Sequence, residues 1–166
     1  MSDRGADDLA VIRAVLLVND GKRADAITQL DGRHPDPPLD LAAWLLLAGL
    51  LEHDNVEKSR ALYSRALQHY AQHPVANLRA GVFTYGRGDA ELARILLERS
   101  WAAGPSAEAG VYLARLYAAR GESLRAATFL AQAASFEPYG GPWRAEAIRE
   151  ILDLWPSLEK KAPGGR

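Results

Sequence analysis

The chain has 166 residues, 48% apolar and 25% charged, with a formal net charge of −1. That is enough for one domain with a real core, too apolar for a disordered chain, and without a global field toward nucleic acid or an anionic membrane. No cysteine occurs, which excludes disulfides, thiolate catalysis and cysteine-ligated zinc.

The start, "MSDRGADDLA", is acidic and lacks the basic-then-apolar order of a secretion signal, so a cytoplasmic protein is expected. A first helical pattern follows through Ala14 and Leu17 and stops at Gly21. A second carries Ala26 and Leu30 and is broken by "DGRHPDPP", which ends at Pro38. Next comes "LDLAAWLLLAGLLEHD", where Leu41 to Leu51 holds no charge and only the Trp44 indole as a hydrogen-bonding side chain. A surface helix needs one apolar stripe; this one is apolar all round and must be covered on several sides. Its reach of roughly 16 Å is short of the ~20 residues a bilayer span requires, so no membrane insertion is expected. "HDN" at residues 53–55 is the expected left-handed turn into "SRALYSRALQHY", with Ser59, Tyr63 and Ala66.

The third pair of patterns turns at Gly88 and continues through Ala93, Leu97 and Ser100 to Pro105. In the fourth, Leu113, Leu116 and Tyr117 precede Gly121, and Leu124, Ala127, Phe129, Leu130, Ala133 and Ala134 follow it before Pro138. Both sets keep helical i, i+3, i+4 spacing. The last pattern, "PWRAEAIREILDLWP", predicts a helix over 142–155 ending at Pro156. Trp143, Ile148, Ile151 and Leu152 are expected to pack inward; Arg144, Glu146, Arg149, Glu150 and Asp153 are expected to form the wet face of a cap. A disordered tail is expected over 157–166.

The punctuation repeats. Gly21, Gly88 and Gly121 each precede a proline by 17 residues, an alanine by 5 and a leucine by 9. Gly88 and Gly121 lie 33 apart and Gly21 and Gly88 lie 67 apart, so a copy is expected to turn near residues 54–55. A fixed period of this size signals stacked units. Small residues at Ala14, Ala48, Gly81, Ala114, Ala26, Ala93 and Ala126 let paired helices approach.

On these residues the chain resembles the tetratricopeptide-repeat family, whose pattern of a large residue, leucine, small residue, aromatic, turn glycine, alanine and proline is matched by Leu113, Ala114, Tyr117, Gly121, Ala126, Leu130, Ala133 and Pro138. The second unit contributes Trp44, Leu47, Ala48 and Leu51, and the third Ala80, Gly81, Thr84, Gly88, Ala93, Leu97 and Ser100. The resemblance implies an all-α, right-handed solenoid of about four helix-turn-helix repeats, over 7–38, 41–73, 74–106 and 107–140, plus a capping helix, within a single domain over 1–156. It also implies an inner groove formed by the first helices. The positions so indicated are Val11, Ile12 and Val15; Leu45, Leu46 and Gly49; Leu78, Arg79, Val82 and Tyr85; and Val111, Tyr112 and Arg115. This apolar floor with two tyrosines and two arginines suits a protein or peptide partner. The lysine and asparagine clamp that some members use for a terminal carboxylate has no counterpart here. The groove can instead be filled by the chain itself or by a second copy in a homo-oligomer.

Nothing in the sequence points to catalysis, a cofactor or a metal. His69 and His73 have ligand spacing, but Tyr70 replaces the glutamate of the zinc-hydrolase pattern and no third ligand is evident. No serine sits in a nucleophile elbow and no phosphate-binding glycine loop occurs. "RGD" at 87–89 reads as a capped turn. The arginines of the third and fourth units interleave with Glu91, Glu98, Glu108 and Glu122, so paired, solvated faces are expected rather than a nucleic-acid stripe. The expectation is a non-enzymatic adaptor or scaffold. Its alternatives are a chaperone for a secretion- or pilus-type client and a self-assembling structural protein.

Overall fold

The structure, a computed structural model, describes residues 4–31, 41–136 and 141–159. Pro38, Pro138, His34 and residues 160–166 lie outside the described residues. Nine helices and no strand occur among the described residues: α1 (Arg4–Asn19), α2 (Arg23–Asp31), α3 (Leu41–Leu51), α4 (Val56–His69), α5 (Pro74–Gly86), α6 (Ala90–Ala103), α7 (Ala107–Ala119), α8 (Ser123–Phe136) and α9 (Pro142–Glu159). The all-α expectation of four helix pairs and a final helix is met. By packing, the chain divides into two compact units, Met1–Ala71 and Gln72–Arg166.

The turns follow from local chemistry. Gly21, Gly88 and Gly121 have φ of 75°, 85° and 77°, and no other described residue has a positive φ. These are the three glycines of the repeat. At Gly121 the Glu122 N–H reaches back to the Tyr117 carbonyl at 2.9 Å and the Gly121 N–H to Ala118 at 2.9 Å, closing the last turn of α7. The 52–54 turn differs from the left-handed one expected there. Asn55 has φ −147° and serves as the N-cap of α4, its side chain accepting from the Lys58 N–H. Three residues between α3 and the cap reverse the chain without a left-handed residue.

In unit 1, α3 answers the question its composition raises. Trp44, Leu47, Ala48, Leu50 and Leu51 are buried, in contact with α4, α2 and α1. The Trp44 ring lies 5.5 Å from His69 and 6.4 Å from Tyr70. Buried Ser59 donates to the Ala48 carbonyl at 2.8 Å, and Tyr63 donates to Glu52 at 2.6 Å, fixing α4 on α3. Arg23 of α2 donates to the Leu50 carbonyl and pairs with Asp54 at 3.2 Å; Lys58 pairs with Asp31 at 2.5 Å.

In unit 2, one core runs through α5 to α9, with Leu97, Val111, Leu113, Tyr117, Leu130 and Ala147 at its centre. Close approach is built in. A Cβ at Gly81 would stand 2.8 Å from Leu97 Cγ. At Gly110 it would stand 2.9 Å from Ala133 Cβ, 2.9 Å from Trp101 Cζ3 and 3.2 Å from the Phe129 carbonyl oxygen.

A polar joint ties α6, α7 and α8 together. The buried Tyr117 ring stacks on Phe129 at 5.4 Å, its hydroxyl donates to Glu98, and the Arg125 guanidinium lies 4.1 Å over its face. Arg94 also donates to Glu98, at 2.8 Å. Burial alone would raise the Glu98 carboxyl, but the Tyr117 and Arg94 hydrogen bonds and the Arg94 and Arg125 charges outweigh it and hold it below the ordinary carboxylate value. A carboxyl lowered by folding stabilises the native state above its unfolded pKa, and that contribution is lost as pH falls through the folded value. Wild type should therefore melt above Glu98→Gln at pH 7. The gap should narrow once pH drops below the ordinary range of about 4 to 5, as paired calorimetric scans at pH 7 and pH 3 will show.

The last helix departs from its expected orientation and length. Trp143, Ile151 and Leu154 pack on the core beside fully buried Ala147, whereas Ile148 and Leu152 are exposed. Glu146 and Glu150, expected in solvent, turn inward to Arg115. The helix also runs past Pro156 to Glu159, so residues 157–159 belong to it rather than to a tail.

Candidate functional site

The first helices of unit 2 bring three rings into a row. Tyr85 of α5 and Tyr112 of α7 meet edge to face, centroids 5.2 Å apart at 72°. Tyr112 then meets Trp143 of α9 at 5.7 Å. Each ring comes from a different helix, so the row exists only once three helices stack. Burial raises the Tyr112 hydroxyl above its ordinary value, against the opposing Arg115 charge. Its ring stays half-buried, as do Tyr85 and Val82.

Both expected arginines flank this row, but their situations differ. Arg79 donates to Glu108 at 2.8 Å and remains 45% exposed. Arg115 lies over the Tyr112 ring at 5.2 Å and donates through Nε to Glu150 at 2.7 Å and through Nη2 to Glu146 at 2.5 Å. Burial would lower Arg115, but its hydrogen bond to Glu150 and the charges of Glu150 and Glu146 raise it above the ordinary guanidinium value. It stays a cation whose fork is filled by α9. Arg115 thus seats the last helix, whereas Arg79 keeps part of its guanidinium open to solvent.

The other expected groove residues divide. Val111 is 0% exposed and Leu78 only 7%, so both belong to the core of unit 2 and offer a ligand no side-chain surface. In unit 1, Val11, Leu45 and Gly49 are half-buried, while Val15 is exposed. Val15 lies on α1 with Leu9, Ile12 and Leu16, all exposed, at spacings that keep them on one side of the helix. Sequence reasoning missed Trp143, Glu108, Glu146 and Glu150 as members of the unit 2 surface. The signal was the repeat period: Glu108 lies 29 residues beyond Arg79, and Glu146 lies 31 beyond Arg115.

The remaining candidates have structural duties. In the "RGD" turn, Arg87 caps α5 and lies 5.3 Å over Phe83, Gly88 takes the positive φ, and Asp89 accepts from the Leu92 N–H at 3.1 Å as the N-cap of α6. His69 sits against Trp44, and His73 is the N-cap residue of α5. Among the described residues no three His, Asp or Glu side chains gather into a metal site, and no helix is long and apolar enough to cross a membrane.

No known family profile matches the sequence, and no curated protein matches it. Solved structures do. The chain is similar to Pseudomonas aeruginosa pilF, with a TM-score of 0.81 and 14% identity over 95% of this chain and 71% of that one. It is similar to a putative kinesin light chain of Podosopora anserina with nearly identical TPR-like repeats, at 0.73 and 17% over 97% and 90%. It is also similar to MamA, at 0.65 and 17% over 89% and 95%. With paired helices, the glycine-closed turns and these likenesses in agreement, the chain has the fold of the tetratricopeptide-repeat proteins.

Proposed function

We propose that this protein is a non-enzymatic interaction scaffold that grips a partner peptide or helix on its first-helix surface. The observation that carries this reading is the row of Tyr85, Tyr112 and Trp143 beside the half-exposed Arg79. Aromatic and arginine side chains dominate the energetics of protein interfaces. Rings held by their neighbours bind without a large ordering cost. The partner segment would lay an apolar side chain across Tyr85 and Tyr112 and offer a carboxylate to Arg79 in exchange for Glu108. On unit 1, Val11, Val15, Leu45 and Gly49 would supply a second, purely apolar contact surface.

Peptides selected from a displayed library on the immobilised protein, then measured by fluorescence anisotropy, test the reading. Arg79→Glu combined with Tyr112→Ala should weaken capture by at least about 100-fold. Undiminished affinity in a folded double variant rules the surface out. A second reading, a chaperone for a secretion- or pilus-type client, draws on the exposed stripe of Leu9, Ile12, Val15 and Leu16 on α1. A client that is soluble only when co-expressed with this protein would favour it.

A further inference from the structure

Helix α9 carries two apolar stripes. Trp143, Ala147, Ile151 and Leu154 face the core of unit 2. On the other side Ile148, Leu152 and Trp155 are 44%, 67% and 54% exposed. Their i, i+4, i+7 spacing makes one continuous stripe of about two turns. As the last helix among the described residues, α9 turns an apolar rather than a polar face outward. Along one edge of the stripe stand Arg149 and Asp153, one turn apart. Arg149 shares Glu146 with Arg115 and is 66% exposed. Asp153 is exposed and has no ion-pair partner among the described residues.

We infer that a second copy of this chain covers the stripe, with α9 lying antiparallel against the partner subunit's α9 about a two-fold axis near Leu152. That axis sets Leu152 on the partner's Leu152 and Ile148 beside the partner's Trp155. In a two-fold antiparallel helix pair, each edge faces its own copy. The same axis therefore brings Arg149 beside the partner's Asp153, within one helical turn of level, and the contact occurs twice. A parallel arrangement would instead set this edge against the opposite edge of the partner's helix, and Arg149 would not meet the partner's Asp153. One operation satisfies the apolar stripe and both charges, which is the self-complementarity an isologous dimer requires. The surface uses none of the residues assigned to partner capture, so the two readings fail independently. Three side chains fall well short of the ~800 Å² per partner of a standard interface. The dimer is a weak one, with a Kd of about 10 to 100 µM.

Sedimentation equilibrium of the full chain from about 1 to about 500 µM tests this. Wild type should pass from monomer to dimer and stop there. Leu152→Glu should remain monomeric throughout, with its helical circular dichroism and melting temperature retained. Asp153→Arg should weaken the dimer about tenfold, and adding Arg149→Asp should restore it. A wild type that stays monomeric at the highest concentration overturns the inference, as does a dimer indifferent to Leu152→Glu. Assembly growing past two copies overturns it in favour of head-to-tail stacking. A charge reversal that the second substitution does not rescue refutes the antiparallel register. Because Arg149 and Asp153 are surface residues, the charge pair keeps the test decisive even if Leu152→Glu fails to fold.

Discussion

Gly110→Ala should lower the melting temperature by about 2 to 8 °C, and Gly110→Val should leave unit 2 without a cooperative transition. The reason is the space on the inner side of α7. An added methyl meets Ala133 Cβ and Trp101 Cζ3 at 2.9 Å and the Phe129 carbonyl oxygen at 3.2 Å. Trp101 is itself packed edge to face against Phe129 and Phe136, so its ring cannot swing away without opening that cluster. The Phe129 carbonyl is part of α8 and moves only with the helix. Overpacking of this kind costs about 1 to 3 kcal/mol, and in a chain of this size each kcal/mol is worth about 2 to 4 °C. The gain in intrinsic helix propensity from glycine to alanine, up to about 1 kcal/mol, acts in the opposite direction and is smaller. Differential scanning calorimetry of the two variants checks the expectation; a Gly110→Ala protein melting at or above wild type would show that α7 and α8 can separate freely.

Arg115→Ala should loosen α9 while the rest of unit 2 stays folded. Glu146 and Glu150 are only 24% and 18% exposed; Arg115 holds both, and Glu146 has Arg149 as a second, more exposed partner. Its removal leaves two partly buried carboxylates side by side on one helix face and uncovers the Tyr112 ring. Breaking a fully buried pair costs about 3 to 5 kcal/mol; with the solvent that reaches this site, about 2 kcal/mol is the expected loss. Amides of α9 should then exchange about 30-fold faster by mass-detected hydrogen exchange, with those of α6 little changed. Arg115→Lys should recover only part of the protection, because a lysine cannot hold two carboxylates in a planar fork. Uniform acceleration across unit 2 would refute the local role.

The helix pairs were legible because their signals are local. A glycine that must take a positive φ, an alanine where two axes approach, and apolar residues every three or four positions all act within one or two turns. Gly21, Gly88 and Gly121 announced three of the four reversals. The fourth was placed correctly, but its conformation was not: with three residues available between α3 and Asn55, no left-handed residue is needed. The orientation of α9 was misread for a different reason. Two apolar stripes, Trp143 through Leu154 and Ile148 through Trp155, compete on one helix, and periodicity cannot rank them. Fully buried Ala147 marks the inner one, since a small residue permits the close approach, and Arg115 completes the choice from another helix. Val111 was assigned to the groove because nothing local distinguishes a side chain that lines a surface from one its neighbours cover. Tyr85, Tyr112 and Arg79 could be placed near one another from the repeat, whereas Trp143 and Glu108 could not, because their place beside them depends on contacts about one repeat away.

The ties between successive hairpins have a chemistry of their own at the rim. Arg79 reaches Glu108, Arg120 reaches Glu91, Arg115 reaches Glu146, and in unit 1 Lys58 reaches Asp31. Within each hairpin, by contrast, buried alanines and leucines supply most of the contact, and dissolved ions do not touch them. Electrolyte in the surrounding medium weakens the former and spares the latter. Salt should therefore loosen the rim of each joint before it touches the apolar core that the hairpins of a unit share.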